Sequence, residues 1–345
     1  DALELEDRWV IHTDSDRARG RVVLPREGGT VEADFATLRL VRETSAAEQD
    51  NEFLTLEEQL QAFRELDMGN WPDIDARISD LRLDGESAGS WRFKLRPEPY
   101  RLRVQEVEGR LGSLVLSGDM TWSIVDDRET TRFTGKLEGG ALKDLEALTG
   151  STIPMTNEET AVELDLDWPG SPNNISLSKI SGTVSARLDD GMIMEQSNSA
   201  QLFRIFNLLN TDTLWRRLRL DFSDLYERGV AFDAISGKAN IINGLVTMDP
   251  ELQLVGPSGA FKLSGNTNMA EETLDMRLVL VLPVTQNLPL AAILMGASAP
   301  IGGALFVLDK ILGDPLSKLT SATYSVSGTW SNPEVDLRGV FDTGE

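Results

Sequence analysis

Cysteine is absent from this 345-residue chain, histidine occurs once and tyrosine three times. Without cysteine there are no disulfides, no thiolate metal sites and no Cys nucleophile. That absence fits a cytosolic or a periplasmic protein and does not choose between them. A Ser-His-Asp triad or a multi-histidine zinc site would have to be built on His12 alone. His12 sits in WVIHTD, where a half-exposed strand histidine is expected. Positive charge is scarce as well. Lys and Arg number 33 against 56 Asp and Glu, a formal net charge of -23. Nucleic-acid binding needs clustered Lys and Arg, so it is excluded, and so is broad adhesion to anionic membranes. Any lipid contact should then be apolar and local.

Catalytic constellations are missing too. No G-x-S-x-G elbow, Walker A loop, H-E-x-x-H or EF-hand pattern occurs. Asp126-Asp127 and Asp189-Asp190 each read as solvated turn acids between strands, not as an acid/base pair. Gly256-Pro-Ser-Gly259 reads as a turn that precedes no helix, which argues against a phosphate cradle. No catalytic residue, metal ligand or cofactor site is expected. Asp1 already lies in a strand-like run, DALELEDRWVI, with no initiator Met and no signal sequence. The chain reads as an excised piece of something longer.

What is abundant is alternation. Hydrophobic residues make up 41% and charged residues 26%, the balance of an ordered chain. In WRFKLR, Trp91, Phe93 and Leu95 point one way and Arg92, Lys94 and Arg96 the other. Tyr100, Leu102 and Val104 alternate with Arg101, Arg103 and Gln105; Met120, Trp122 and Ile124 repeat the pattern, as do Val162, Leu164 and Leu166. Gly, Asn and Asp punctuate these runs at hairpin spacing, and no strand-helix-strand alternation appears, against a parallel α/β sheet. Ser181–Met194 and Ser236–Met248 look weakly alike, each reading Ser-Gly, strand, polar-Gly turn, strand. That similarity suggests a repeated hairpin and an extended β architecture.

Helix signals are few. Thr55 and Glu58 form a capping box inside the acidic stretch Glu43–Asp67. Ala141–Leu148 reads as a short helix closed by Gly150. In Ser199–Asn210, Leu202, Ile205, Phe206 and Leu209 form a helical stripe that runs into the basic cluster Trp215-Arg216-Arg217-Leu218-Arg219. Two readings of this stretch stand: a helix capping the sheet, its arginines paired with acids, or an interfacial helix with Arg216, Arg217 and Arg219 meeting lipid phosphates. Residues 278–308 carry no charge at all. Leu288–Leu308 is long enough to span a bilayer, but Pro289 and Pro300 with Gly296, Gly302 and Gly303 interrupt a single helix. Two short helices fit better, either packed on the sheet or in contact with lipid.

The segment LFRIFNLLNTDTLWRRLRLDFSDLYERGVAFDAISGKANIINGLV resembles the C-terminal region of the YhdP family of AsmA-like envelope proteins. LQLVGPSGAFKLSGNTNMAEETLDMRLVLVLP and the ending KILGDPLSKLTSATYSVSGTWSNPEVDL are similar to it too. So are WPDIDARISDLRLDGESAGSWRFKLRPEPYRLRV and LDLDWPGSPNNISLSKISGTVSARLDDG, to the family's preceding repeats. The resemblance runs from Trp71 to Leu337 and rests on the order of motifs.

The resemblance implies a bridge-like lipid transport protein of the Gram-negative periplasm, with no enzymatic activity. Its expected fold is mainly β with a few short helices, an elongated, curled antiparallel sheet forming an apolar groove, and a helical C-terminal tip. Residues 1–70 would be N-terminal strands plus an acidic linker, 71–180 a β-groove repeat and 181–345 the AsmA-like C-terminal region. Trp91, Phe93, Leu95, Leu102, Met120, Trp122, Leu164, Leu278 and Leu280 would line the groove. The apolar segment 288–312, with Leu288, Leu290, Ile293, Leu294, Met295, Ile301, Leu305 and Phe306, would touch the outer membrane at its inner leaflet. Arg216, Arg217 and Arg219 would meet headgroups. An N-terminal anchor in the inner membrane, absent here, and phospholipid cargo complete that expectation. The alternative is a periplasmic scaffold that binds outer-membrane β proteins through exposed sheet edges.

Overall fold

Strand after strand follows the period-2 pattern of the sequence. The computed structural model describes residues 1–41, 68–125, 128–172, 175–194, 229–256, 259–283 and 319–340. Its strands are β1 (Ala2–Glu4), β2 (Arg8–Asp14), β3 (Ala18–Pro25), β4 (Val31–Leu40), β5 (Ile74–Ile78), β6 (Leu81–Leu83), β7 (Glu86–Ser87), β8 (Ser90–Glu98), β9 (Arg101–Leu111) and β10 (Leu114–Val125). They continue with β11 (Arg128–Gly139), β12 (Met155–Pro169), β13 (Ser181–Ile193), β14 (Val230–Ile242), β15 (Leu245–Gly256), β16 (Gly259–Asn268), β17 (Thr273–Pro283), β18 (Leu319–Thr329) and β19 (Pro333–Val340). The 19 strands form one mixed sheet. The expected β fold with few helices is present. Two pairings differ from the expected antiparallel pattern: β4 runs parallel to both β5 and β6. The long connection between Leu40 and Ile74 permits this, since a parallel return needs a dozen or more residues.

The chain divides into two compact units. The first holds Asp1–Leu137, Asp144–Ser151 and Asp165–Ile175, and the second Glu138–Lys143, Thr152–Leu164 and Ser176–Glu345. The expected helix at Ala141–Leu148 is found as a 3-10 turn, Leu142–Leu145, running into α1 (Glu146–Thr149). Gly150 ends it at φ 71°, its N–H donating to the Glu146 carbonyl. The capping box at Thr55 and Glu58, the stripe at 199–210, the cluster Arg216, Arg217 and Arg219, the segment 288–312 with all eight of its membrane candidates, and Asp126-Asp127 lie outside the described residues.

In the second unit, β13 to β19 pair in sequence order, all antiparallel. Asn243 and Gly244, both at positive φ, make the tight turn between β14 and β15, as the Asn-Gly pair requires. The matching hairpin expected within Ser181–Met194 is not there. Ser181–Ile193 is one continuous strand paired with β14 from Gly182 to Ile193. Asp189-Asp190 is therefore mid-strand, not a turn. Asp189 accepts from the Arg187 guanidinium at 2.9 Å, and Asp190 adopts φ 48°. That left-handed residue shifts the alternation by one. Leu188 before it and Ile193 after it both reach the core, where they join Phe232 and Val230. The doublet looked like a turn because Asp and Gly favour positive φ; here that conformation changes phase without reversing the chain.

Asp190 lies near Asp233, between the pairs Asp189 with Ala234 and Gly191 with Phe232. Burial first, and then the Asp190 charge, raise Asp233 above the ordinary aspartate range. A raised carboxyl pKa means that the folded chain holds this proton more tightly than the unfolded chain. The site therefore favours folding in acid, and the contribution is lost as pH rises through the folded pKa. Asp190→Asn, which keeps a residue tolerant of positive φ, is expected to raise the thermal midpoint at neutral pH. Midpoints measured across a pH series should converge with wild type in acid.

Candidate functional site

Register decides which side chains meet. In the first unit, Val31, Ile74, Leu95, Val104 and Met120 are successive cross-strand partners over β4, β5, β8, β9 and β10. A second row runs Gly20, Phe35, Ile78, Trp91, Gly109 and Leu116, from β3 to β10. Leu102 faces Trp122 and Pro97 beside them. The rows between belong to the opposite face. Arg21, Asp34, Arg77, Arg92, Glu108 and Ser117 form one; Glu32, Asp75 and Lys94 lie in another. One face of these strands is thus apolar along its width and the other is charged.

A bulge keeps the faces separate. On β9 the apolar positions are even at Leu102 and Val104 and odd at Val107 and Leu111. Glu106, at φ 49°, is the extra residue that absorbs the change, and its N–H donates to the Asp119 carboxylate at 2.9 Å. Without it, Glu106 would point into the apolar face and Val107 out of it.

The apolar face is neither sealed nor fully open to water. Trp91, Phe93, Leu95, Leu102, Met120 and Trp122 are all half-buried, while Val104, Leu111 and Leu114 are buried. Towards β2, Trp9 and Ile11 are exposed on the same face as Leu24 and Val22. The charged face carries ion pairs across strands: Arg92 with Glu108, Lys94 with Glu106 at 2.6 Å, Arg96 with Asp75 at 2.6 Å, and Arg132 with Asp165 at 2.9 Å. Arg110 first, and then Arg92, hold the Glu108 carboxyl below its ordinary range. A cavity of 780 Å³ lined chiefly by charged residues, among them Arg21, Glu32, Asp75, Arg92 and Glu108, draws on these same pairs. Such exposed pairs add little stability. They hold the charged face in water and fix which face is which.

The second unit handles its apolar face differently. Phe261, Leu280 and Ala322 are cross-strand partners, as are Leu263, Leu278 and Tyr324. All of these except Leu263 are buried in one cluster, with Leu278 at 4%, Leu280 at 1% and Tyr324 at 2% exposure. At the end of the unit where Ile193, Val230, Gly256, Gly259 and Val281 lie, residues from both faces are buried. Leu254, Phe261 and Leu280 represent one face there, and Val255, Ala260 and Val281 the other.

Of the nine candidate lining residues, six (Trp91, Phe93, Leu95, Leu102, Met120 and Trp122) share the half-open face of the first unit. Leu278 and Leu280 share the closed core of the second, and Leu164 is a half-buried residue of β12 in that unit. Sequence reasoning passed over Val31, Phe35, Ile74 and Ile78, although VEADF and IDARI alternate plainly. It had no means of finding Val107, whose phase depends on the bulge. His12 is exposed on the charged side, opposite Arg21. Among the described residues no group of His, Asp and Glu could hold a metal. No helix there is long and apolar enough to cross a membrane.

A family model described as YhdP protein matches residues 1–335. The chain belongs to the YhdP family. The intermembrane phospholipid transporter YhdP of Escherichia coli (strain K12) is 26% identical to it over 266 residues, 77% of this chain and 21% of that relative. This YhdP-family chain therefore spans about a fifth of the relative's length. No solved structure matches.

Burial separates the two faces energetically. Leu280→Ala leaves a cavity in a sealed cluster and is expected to cost about 2–5 kcal/mol. Phe93→Ala, on the half-open face, should cost less than half of that. Denaturant midpoints of the two variants, compared at equal slope, check the ordering. Leu280→Asp would test folding before it tested any passage.

Proposed function

We propose that this chain is part of a non-enzymatic phospholipid conduit between the inner and outer membranes, and that the half-open apolar face of its first unit carries acyl chains. The observation that carries this reading is the pair of apolar rows crossing β4 to β10, unbroken by a charged side chain, in which Phe35, Ile74, Trp91, Leu95, Leu116 and Met120 stay only half-buried. A sheet normally covers such a face with a second layer. Lipid tails supply that layer here, favourable by about 0.8 kcal/mol per buried CH₂. Headgroups stay in water beyond the apolar rows. Membership in the YhdP family and the printed function of the Escherichia coli relative support phospholipid as the cargo.

The second unit is the outer-membrane-proximal end in this reading. Support comes from its connectivity. The segment with Arg216, Arg217 and Arg219 departs after Ile193 and returns at Val230, and the uncharged segment departs after Pro283 and returns at Leu319. Both therefore branch from the same end of one antiparallel sheet, the end whose two faces are apolar. There, Leu288, Leu290, Ile293, Leu294, Met295, Ile301, Leu305 and Phe306 enter the inner leaflet of the outer membrane and the arginines meet phosphates. The location is the periplasm.

Adjacent residues on opposite faces give the test. A photo-crosslinking amino acid at Phe93 or Met120 should capture phospholipid in cells. The same group at Arg92 or Thr121, one residue along each strand, should capture little. Equal labelling at the four positions, or none at Phe93 and Met120, would sink the conduit. Protein adducts at strand edges in place of lipid would favour a scaffold.

A further inference from the structure

Aromatic rings of the apolar face lie over glycines of their own or a neighbouring strand. Phe133 reaches over Gly118 and Gly135, and Phe35 over Gly20. At those three glycines a neighbouring backbone carbonyl also blocks a side chain. A Cβ on Gly20 would meet the Asp34 carbonyl oxygen at 2.4 Å, for example. Close approach of strands is reason enough for glycine there.

Gly109 differs. It is the cross-strand partner of Trp91, and its φ is not in the left-handed region. The three atoms nearest to an added Cβ all belong to the indole: Cζ3 at 2.5 Å, Cη2 at 2.6 Å and Cε3 at 2.8 Å. The nearest obstacles to a side chain are thus atoms of the ring, not of the backbone. The indole is anchored in this pose by its Nε1–H, which donates to the Ala88 carbonyl at 2.8 Å. The six-membered ring therefore lies across β9, covering Gly109, instead of standing off the sheet.

We infer that Gly109 is a clearance-setting position in the acyl-chain path: it lets Trp91 lie flat, so that the largest side chain of its row does not obstruct lipid. This inference rests on the conduit reading above. A tryptophan projecting upright from a strand would rise above Ile78 beside it and Leu116 beyond Gly109, and narrow the space over the adjacent row of Ala33, Ala76 and Phe93. Laid over a glycine, the same residue adds apolar contact area without adding height. The pairing also seals the backbone of β9 beneath the ring, since an aromatic across a glycine restores the packing that the missing side chain forgoes. Any side chain at position 109 must displace the ring, break its bond to Ala88 and turn it into the path.

Loading of the full chain is the measurement. Wild type, Gly109→Val, Trp91→Ala and the double variant would be incubated with phosphatidylethanolamine–phosphatidylglycerol vesicles doped with a phospholipid carrying a fluorescent acyl chain. Bound lipid per chain is counted after re-isolation, with thermal midpoints measured in parallel. Gly109→Val should lower bound lipid several-fold relative to wild type, whereas Trp91→Ala, which removes a lining side chain, sets the reference level for the double variant. The double variant should return to the Trp91→Ala level, because without the indole a valine at 109 obstructs nothing. Should the valine variant fail to fold, Gly109→Ala, which adds one methyl, gives the same ordering at smaller amplitude. Wild-type loading with undiminished loading of a folded Gly109 variant, its midpoint lowered, would overturn the inference and leave the conduit standing. Failure of the double variant to recover would overturn it as well. No loading of wild type would remove both.

Discussion

Cross-strand register is the constraint on which the rest depends. A strand has two faces only because its side chains alternate, and neighbouring strands share a face only if their phases agree. A slip of one residue on any of β4, β5, β8, β9 or β10 would drive Arg, Glu or Asp into the row now formed by Val31, Ile74, Leu95, Val104 and Met120. Two devices defend the phase where the sequence itself departs from strict alternation. Glu106 bulges out of β9 at φ 49°, and Asp190 turns the phase of β13 at φ 48°. Both are acidic residues in the left-handed region. Each places an apolar residue inward on either side of itself: Val104 and Val107 in one case, Leu188 and Ile193 in the other.

The charged face serves the same end. Its ion pairs are mostly exposed and individually weak, and none of them holds the sheet together. Their contribution is directional, because Arg92 with Glu108 and Lys94 with Glu106 are comfortable only in water. The apolar side is left free of charge, since a single unpaired carboxylate buried among its side chains would cost several kcal/mol.

The two units treat the same kind of face in different ways. In the second, Leu278, Leu280, Tyr324 and Val326 are packed shut, so its described strands have the character of an ordinary core. In the first, aromatic and aliphatic residues stay half-buried, and the rings fold down over glycines. A sealed cluster contributes folding energy through close packing, and a half-open face contributes less of it.

Much of this was legible in the chain as written. The strands followed from alternation in WRFKLR, the turn at Asn243-Gly244 from its dipeptide, and the short helix from Gly150. The family followed from the order of motifs. These are local properties, set by side-chain periodicity, backbone preference and residue type, and need no knowledge of what lies across a strand. Whether Leu280 and Phe93, equally apolar and both on alternating strands, end in a sealed core or on a half-open face was not legible. Nor was the Asp189-Asp190 doublet, whose chemistry suits a turn and a mid-strand phase change alike. Pairing partners decide those outcomes: burial belongs to the set of strands that close around a residue, and register is a relation between segments far apart in sequence. Local sequence determined which residues are apolar and on which side of their own strand; only the tertiary structure decided which of those sides meet, and whether they meet protein or leave room for something else.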